Sequence, residues 1–293
     1  MQVGWIGTGA LGSAIVKKIS KSYQINVWNR TSKKANLLMD YGVKVYYDLN
    51  FLAKDCDVVF LCLKGEEVYT SVLFGKSGLA NHLSPNSIVI DLSTINPSLS
   101  IYIYKELIKK NIHYIECPVS GGPEGALKGQ LTAITAGDEN KIREITPIIE
   151  KFSSEIHFVG NTGKAQTIKV LNNLAESINL LGAAEVINMG VKLGFSPEIL
   201  QNVLTTTRGY SVYMGVLLER ILNPTSEISA SLSIRLKDIE LANSLATDIR
   251  QPIPLGSLSK ELFKLSIVRC GEEADQTNCF NLYNNYKGEM KNV

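Results

Sequence analysis

Short apolar runs alternate with longer helical patterns over roughly the first 160 residues of the chain. The runs are rich in β-branched residues and have the length of buried strands. They predict strands at 3–6, 25–28, 43–46, 58–63, 88–91, 113–116, 131–136 and 156–159. Segments with helical spacing of apolar residues lie between them, at 11–21, 32–41, 97–110 and 140–152. This alternation predicts a mostly parallel sheet covered by helices on both faces.

The pattern changes after Val159, where Gly160-Asn161-Thr162-Gly163 forms a turn cluster and helical periodicity follows without a strand-like run. Ser196-Pro197 is typical of a helix start, and Asn223-Pro224 marks another break. We therefore predict two domains joined by a long helix. The first, 1–162, is a doubly wound α/β domain, and the second, 163–293, is all-helical.

Composition restricts the class of protein. The chain has 293 residues, of which 45% are hydrophobic and 20% charged, a balance typical of a folded globular protein. A net charge of +2 gives no reason to expect nucleic acid or a membrane as partner, so the ligand is expected to be small. The five cysteines are scattered without a C-x-x-C pair, and no histidine has metal-ligand spacing, so no metal is expected. No signal peptide or membrane helix is recognisable, and we predict a cytoplasmic location.

The segment Gly7-Thr8-Gly9-Ala10-Leu11-Gly12 matches G-x-G-x-x-G between a predicted strand and a predicted helix. The first glycine permits a tight turn, the second allows close approach to a pyrophosphate, and the third allows close packing of helix on strand. The helix N-terminus supplies free N–H groups to the anion. These six residues predict a dinucleotide site in a Rossmann-like domain; a purely structural turn is the alternative.

The second predicted strand ends in a basic, hydroxyl-bearing segment. A site that prefers NAD places Asp or Glu here to hold the ribose hydroxyls. This chain instead has Asn29, Arg30, Thr31 and Lys33, and arginine pairs well with a 2′-phosphate. We therefore predict NADP in preference to NAD. The alternative is that Arg30 and Lys33 are only solvated charges at a helix start.

Four further motifs follow the glycine loop in order: Asp91-Leu92-Ser93-Thr94, Pro118-Val119-Ser120-Gly121-Gly122, Gly160-x-x-Gly163-x-Ala165-x-x-x-Lys169-x-x-Asn172-Asn173, and Lys237-Asp238-Ile239-Glu240-Leu241-Ala242. In this order and spacing the chain resembles the β-hydroxyacid dehydrogenase family, which includes 3-hydroxyisobutyrate dehydrogenase and glyoxylate/succinic semialdehyde reductase. The resemblance extends to about residue 265.

The resemblance implies roles for individual residues. Lys169 matches the family's catalytic acid/base, Asn173 its substrate-binding asparagine, and Ser120-Gly121-Gly122 the loop that binds the acid group of the substrate. Leu63, Lys64, Ser93 and Thr94 match positions along the cofactor, and Lys237 one that approaches the nicotinamide. The implied reaction is hydride transfer between NADPH and a small aldehyde- or keto-acid, or the matching hydroxyacid, in a homodimer or homotetramer.

Physical reasoning supports these positions separately. Ser120 and two glycines offer a hydroxyl and exposed backbone N–H groups to a carboxylate, although such a loop is equally often a simple turn. Lys169 and Asn173 are four residues apart and so share one face of a helix. A helical lysine is usually only a solvated charge. His82, His113 and His157 lie outside every motif, so no histidine is a good rival for the acid role that the resemblance implies for Lys169.

The chain departs from the family pattern at several positions. Glu116 and Cys117 replace an Asp-Ala pair, and we expect little effect. Ala165 replaces a glycine, which requires helical dihedral angles at this residue. Ala230 stands where some members place a substrate-contacting phenylalanine, with Tyr210, Ser211 and Tyr213 as candidate replacements.

Two other functions remain as alternatives. Imine reductases share the architecture but usually lack the lysine, and a non-catalytic dinucleotide sensor would keep the fold without chemistry. The more distant 6-phosphogluconate dehydrogenase has a much larger helical domain than this chain provides.

Overall fold

The computed structural model describes residues 1–283, and the chain forms two compact units that divide between Lys169 and Val170. The predicted domain boundary at 162/163 stays a prediction. The core of the first unit is a six-stranded sheet of order β3-β2-β1-β4-β5-β6 in which every neighbouring pair is parallel. Its strands are β1 (Val3–Ile6), β2 (Ile25–Trp28), β3 (Lys44–Val45), β4 (Val58–Leu61), β5 (Ile88–Asp91) and β6 (His113–Glu116).

Seven helices of the first unit follow or connect these strands. They are α1 (Ala10–Ile19), α2 (Ser32–Asn36), α3 (Leu49–Asp55), α4 (Glu67–Tyr69), α5 (Pro97–Ile108), α6 (Gly122–Lys128) and α7 (Glu139–Ile149). Single 3-10 turns lie at Met39–Tyr41 and Leu79–Asn81, and Thr70–Phe74 is π-helical. The helix predicted at 32–41 is therefore interrupted after Asn36, and α3 was not predicted.

Alternate residues of the central strands enter two separate hydrophobic cores, one on each face of the sheet. Trp5 and Phe60 stack in the first core, with ring centroids 5.3 Å apart, while Ile6 and Leu61 belong to the second. All four side chains are fully buried. Because both faces are covered, the strands read as continuous apolar runs, and the predicted doubly wound fold is confirmed.

The runs at 131–136 and 156–159 do not extend the main sheet, as the single-sheet prediction required. They form a second sheet of order β7-β8-β9, made of β7 (Val119–Ser120), β8 (Leu131–Thr135) and β9 (Ser153–Phe158). Because Pro118 has no N–H to donate and the chain turns at Gly121, β8 returns antiparallel to β7. An isolated antiparallel bridge between Glu116 and Ala136 joins this sheet to β6.

The second unit is helical, as predicted. The 29-residue helix α8 (Lys164–Lys192) crosses the division between the units. It is followed by α9 (Pro197–Leu204), α10 (Val212–Leu222), α11 (Leu232–Asp248) and α12 (Pro254–Cys270), and by a 3-10 segment at Gln276–Tyr283. Ser196 caps α9 and α10 ends before Asn223, which confirms both predicted helix boundaries. Among residues 1–283, no helix combines the length and apolar character that crossing a bilayer requires.

Buried polar contacts hold the segment around Asp275, just before the 3-10 segment, in place. Asp275 accepts hydrogen bonds from the backbone and hydroxyl of Ser229, at 2.8 and 2.9 Å. Its other oxygen accepts from the backbone and hydroxyl of Thr277, at 3.0 and 2.7 Å. Burial alone raises the pKa of Asp275, but these bonds outweigh it and hold the pKa below its ordinary value.

Candidate functional site

The glycine loop joins the carboxyl end of β1 to α1. Gly7 has a φ of 99°, a conformation that favours glycine. A Cβ on Gly12 would lie 2.3 Å from the Gly7 carbonyl oxygen, so the third glycine is required by packing inside the loop. A Cβ on Gly9 would meet no atom of the described residues within 4 Å. The second glycine therefore faces open space, which is where a dinucleotide needs room.

The loop has the polar groups that a pyrophosphate requires. No side chain among residues 1–283 caps α1, so N–H groups at its start remain available to an anion. The Thr8 hydroxyl is buried and has no hydrogen-bond partner among the described residues. A buried hydroxyl without a partner is costly, and a ligand oxygen would satisfy it. The residues present therefore fit a dinucleotide.

The segment that follows β2 lies beside this loop. The Thr8 backbone N–H donates to the Asn29 side-chain oxygen at 2.9 Å, and the Asn29 amide donates to the Thr31 carbonyl at 2.9 Å. Asn29 therefore orders both loops. Arg30 and Lys33 are exposed and make no hydrogen bond or ion pair with any residue in 1–283. Both cations are available to a phosphate.

The ends of β4 and β5 meet at the same edge of the sheet. The Leu63 backbone N–H donates to the Ser93 hydroxyl at 2.8 Å, so the two segments predicted to lie along the cofactor are bonded to each other. Lys64 is exposed and Thr94 half-buried. The predicted cofactor residues of the first unit therefore share one edge, because β1, β2, β4 and β5 are parallel neighbours.

A buried polar cluster, which the sequence did not predict, lies at the end of β5 beside this edge. Asp91, the last residue of β5, accepts hydrogen bonds from the Tyr69 hydroxyl at 2.7 Å, the Tyr114 hydroxyl at 3.1 Å and the Ser93 backbone at 2.9 Å. Burial raises the pKa of Asp91, although these bonds oppose it. The tyrosines read as ordinary core residues, so only the carboxylate at a strand end signalled the cluster.

The loop Ser120-Gly121-Gly122 lies between β7 and α6. Gly121 and Gly122 have φ values of 125° and 66°, and a Cβ on Gly121 would lie 2.9 Å from the Leu131 side chain. The glycines are therefore required by the turn itself. Ser120 is half-buried at the end of β7. Substrate binding by this loop stays a prediction.

Helix α8 carries both Lys169 and Asn173, one turn apart. Lys169 is only 8% exposed and Asn173 only 3%. Lys169 is therefore not the solvated surface charge that a helical lysine usually is. Ala165 is buried inside α8 and is not among the residues with positive φ. The condition for replacing the family's glycine at this position is met.

Asn173 and Lys237 meet at one carboxylate in the second unit. Asp238 of α11 accepts a hydrogen bond from the Asn173 amide at 2.8 Å, and its other oxygen lies 3.0 Å from the Lys237 ammonium. Asp238 is 6% exposed. Asp238 therefore pairs with Lys237 and also fixes the asparagine amide.

A second network, partly buried and missed by sequence reasoning, lies next to this point and is centred on Glu176. Glu176 accepts hydrogen bonds from Asn172 at 2.7 Å, from the Tyr213 hydroxyl at 2.8 Å and from Arg235 at 3.0 Å. The Arg235 guanidinium also donates to the Gln276 side chain at 2.9 Å. Burial raises the pKa of Tyr213 to about 12. The Tyr213 hydroxyl is thus held by charged neighbours within its own unit.

The other candidate replacements for the family's phenylalanine also have structural contacts. The Ser211 hydroxyl accepts from the Met214 backbone at 3.2 Å and caps α10. Tyr210 is 43% exposed and packs on Gly215. Ala230 is half-buried, and its carbonyl accepts from the Gln276 backbone at 2.8 Å.

A surface cavity of about 380 Å³ lies elsewhere in the first unit, beside α7 and β9. Its lining includes Thr135, Glu139, Arg143, Ser153 and Phe158 and none of the predicted site residues. Its lining contains both acidic and basic side chains. The glycine-loop edge therefore remains the candidate site.

Comparison with protein families agrees with this geometry. Residues 2–160 match the model of the NAD-binding domain of 6-phosphogluconate dehydrogenase, and residues 163–283 match the model described as NAD-binding of NADP-dependent 3-hydroxyisobutyrate dehydrogenase. The chain is 26% identical over 267 residues to 2-(hydroxymethyl)glutarate dehydrogenase of Eubacterium barkeri, covering 90% of this chain and 88% of the relative. It is 27% identical over 286 residues to mitochondrial 3-hydroxyisobutyrate dehydrogenase of Mus musculus, covering 95% and 85%.

Comparison with solved structures finds proteins of the same fold. Psf3 in complex with NADP+ and 2-OPP is 38% identical, with a TM-score of 0.91 and coverage of 96% of this chain and 100% of that chain. A 3-hydroxyisobutyrate dehydrogenase from Salmonella typhimurium has a TM-score of 0.88 at 21% identity, with coverage of 96% and 99%, and so shares the fold. The chain belongs to the β-hydroxyacid dehydrogenase family, with an NAD(P)-binding domain at its N-terminus.

Proposed function

We propose that this protein is an NADP-dependent oxidoreductase that transfers a hydride between NADPH and a small aldehyde- or keto-acid, or the matching hydroxyacid. The observation that carries the proposal is the sheet edge at which the uncapped helix α1, the buried Thr8 hydroxyl and two uncommitted cations lie together. The complex of Psf3 with NADP+ also supports it.

The preference for NADP rests on the segment after β2. From 28 to 33 the chain has no carboxylate to hold a free 2′-hydroxyl, and it offers Arg30, Thr31 and Lys33 instead. Arg30 has the planar fork that pairs with phosphate oxygens, and no group of residues 1–283 competes for it. Asn29 is already bonded to both loops, so its part is to order them.

Bound NADPH supplies the hydride, and this chain's own residues bind the acid group, hold the reacting oxygen and move the proton. We assign proton transfer to Lys169, whose ammonium donates to the oxygen as a carbonyl becomes an alcohol. General acid catalysis by a positioned side chain is worth about 10²–10⁴-fold. A buried lysine, 8% exposed, suits this part because bulk water does not compete for its proton.

Asn173 is assigned to holding a substrate oxygen. One N–H of its amide donates to Asp238, which fixes the amide plane and leaves the second N–H for a ligand. Ser120 and the glycines beside it are assigned to the substrate carboxylate. Lys237 is assigned to the nicotinamide end, with Asp238 holding its ammonium at 3.0 Å.

The substrate class follows from the same residues and from the relatives. 3-Hydroxyisobutyrate and 2-(hydroxymethyl)glutarate, named for two relatives, are both hydroxyacids. 2-OPP, bound in the Psf3 complex, is a further candidate because that structure is 38% identical. The individual acid is left to experiment.

We also propose that the protein is a homodimer or homotetramer. Large apolar side chains are exposed on and after α8, including Leu171, Met189, Leu193 and Phe195, which are 50–67% exposed. An apolar surface of this kind is typical of a subunit interface. Light scattering coupled to gel filtration measures the assembly. A cytoplasmic location stays a prediction, and the Mus musculus relative is mitochondrial.

The proposal is tested by following NADPH absorbance with glyoxylate, succinic semialdehyde, tartronate semialdehyde, methylmalonate semialdehyde and 2-OPP, and then repeating with NADH. We expect turnover that prefers NADPH and falls at least 100-fold in Lys169→Ala. Lys192→Ala, an exposed lysine on the same helix, is the matched control. If every acid is inert while a cyclic imine is reduced, the protein is an imine reductase. NADPH binding without any turnover would indicate a sensor.

A further inference from the structure

The start of α8 is bound by a carboxylate from a distant strand. Glu116, the last residue of β6, accepts hydrogen bonds from the backbone N–H groups of Gly163 at 2.8 Å, Ala165 at 3.0 Å and Gln166 at 3.4 Å. Negative charge is favourable at this end of a helix because the exposed N–H groups carry partial positive charge. Glu116 is fully buried and also accepts from Ser100. A strand of the main sheet thus fixes where α8 begins.

Gln166 provides a second attachment in the same turn. Its side-chain oxygen accepts from the Ile95 backbone at 3.1 Å, and its amide nitrogen donates to the Ser93 carbonyl at 2.9 Å. Gln166 is fully buried, so both bonds are shielded from water. The Ser93 hydroxyl in turn accepts from the Leu63 backbone. One network therefore links α8 to the ends of both β4 and β5.

Lys169 follows these attachments by one helical turn. Three residues of helix span about 4.5 Å, and positions i and i+3 are neighbours on the helix surface. Because a helix is stiff over this distance, the position of its first turn sets the position of Lys169. The same bonds hold 93–95, so they set Lys169 relative to a segment that we assign to the cofactor.

We propose that Glu116 and Gln166 are positioning residues that hold Lys169 in register with the cofactor-binding loops. The inference rests on the proposed function, because it concerns the acid/base role assigned to Lys169. Sequence reasoning treated Glu116 only as a conservative replacement, whereas the structure gives its carboxylate specific contacts. A displacement of about 1 Å can cost about 10²-fold in rate, so a loosened helix start is expected to reduce kcat.

Substitutions separate the two attachments. Glu116→Gln keeps the shape but turns an amide nitrogen toward backbone N–H groups, while Glu116→Asp keeps the carboxylate on a shorter stem. Gln166→Leu removes both bonds to 93–95. Glu155→Gln is the matched control, because Glu155 is exposed on β9 and its side chain makes no hydrogen bond or ion pair with the described residues.

Kinetics are measured well below each variant's melting temperature. We expect Glu116→Gln and Gln166→Leu to lower kcat about 10- to 100-fold and to shift the alkaline limb of the kcat profile. Glu116→Gln is expected to change the KM for NADPH less than about twofold, because Glu116 binds the start of α8 and not the segment 93–95. Glu116→Asp restores part of kcat. In a Lys169→Ala background, Glu116→Gln adds no further loss, because its effect acts through Lys169. Unchanged kcat, or losses that multiply in the double variant, overturns the proposal.

A measurement without turnover separates this proposal from the proposed function. The side-chain signal of Lys169 in protein labelled with ¹³C at lysine Cε is assigned by its loss in Lys169→Arg and titrated with pH. We expect Glu116→Gln to shift its midpoint and Glu155→Gln to leave it unchanged. Equal midpoints overturn the positioning role. If the midpoint shifts but Lys169→Ala turns over normally, the acid/base assignment fails and the positioning role stands.

Discussion

Replacing Arg30 with alanine is expected to weaken the binding of NADPH but not that of NADH. Arg30 is exposed and has no partner among the described residues, so its loss costs the fold little. Hydrogen bonds to a charged group contribute about 1.5–3 kcal/mol, or about 10- to 150-fold in affinity. Because solvent screens an exposed pair, we expect the lower part of this range, about tenfold, with no comparable change for NADH.

The assay compares kcat/KM for NADPH and NADH at a saturating concentration of the acid. Direct binding is followed by tryptophan fluorescence, since both tryptophans contact the glycine loop. Trp5 donates to the Gly7 carbonyl at 2.9 Å, and the Trp28 carbonyl accepts from the Gly7 backbone at 3.1 Å. Arg143→Ala, in an exposed ion pair on α7, is the control and should change neither cofactor. Equal losses for the two cofactors, or none, would refute the 2′-phosphate assignment.

Three further predictions concern packing and charge. Gly12→Ala is expected to abolish quenching of tryptophan fluorescence by NADPH, because the added Cβ would lie 2.3 Å from the Gly7 carbonyl oxygen. Arg235→Leu is expected to lower the free energy of unfolding by about 1–3 kcal/mol in denaturant titrations, because it removes the cation from the partly buried Glu176 carboxylate and leaves the buried Gln276 side-chain oxygen without its donor. Asp275→Asn is expected to lose stability at neutral pH but not at acidic pH. The wild-type Asp275 contribution is present above the ordinary aspartate pKa and is lost as pH falls through the lowered pKa of the folded state.

Each of these predictions has a control and a contradicting result. A Cβ at Gly182, inside α8, would lie more than 4 Å from the atoms of neighbouring elements in 1–283, so Gly182→Ala should leave NADPH binding intact. If Gly12→Ala binds NADPH as well as the wild type does, the packing argument is contradicted. No measurable loss of stability in Arg235→Leu would contradict the stabilising role given to the Arg235 contacts. Asp248→Asn, an exposed carboxylate, should show no pH-dependent difference. A constant difference for Asp275→Asn from pH 7 to pH 2 would contradict the lowered pKa.

The main sheet was predictable because its strands are buried on both faces. The runs at 3–6, 25–28, 88–91 and 113–116 coincide with β1, β2, β5 and β6. The two-residue strand β7 was missed, because a strand so short has no periodicity to detect. The second sheet could not be inferred either, since its separation depends on Pro118 and the turn at Gly121.

The candidate site was predictable only where a local motif carries it. The glycine loop has a fixed spacing, and its backbone conformation follows from that spacing. The contacts of Glu116 join residues 47 to 50 positions apart, and Glu176 meets Arg235 59 positions away. No local pattern encodes such pairs, because each side chain alone reads as an ordinary charged residue. Their partners became visible only once the chain was folded.

Transfer of deuterium from NADPH that carries deuterium at both C4 positions of the nicotinamide tests the central claim most directly. Labelled cofactor is mixed with the acid that turns over fastest, and the product is analysed by mass spectrometry. We predict one deuterium on the carbinol carbon of the hydroxyacid for each NADPH oxidised, and negligible transfer by Lys169→Ala. Oxidation of NADPH without deuterium in the product, or transfer undiminished in Lys169→Ala, would contradict the account.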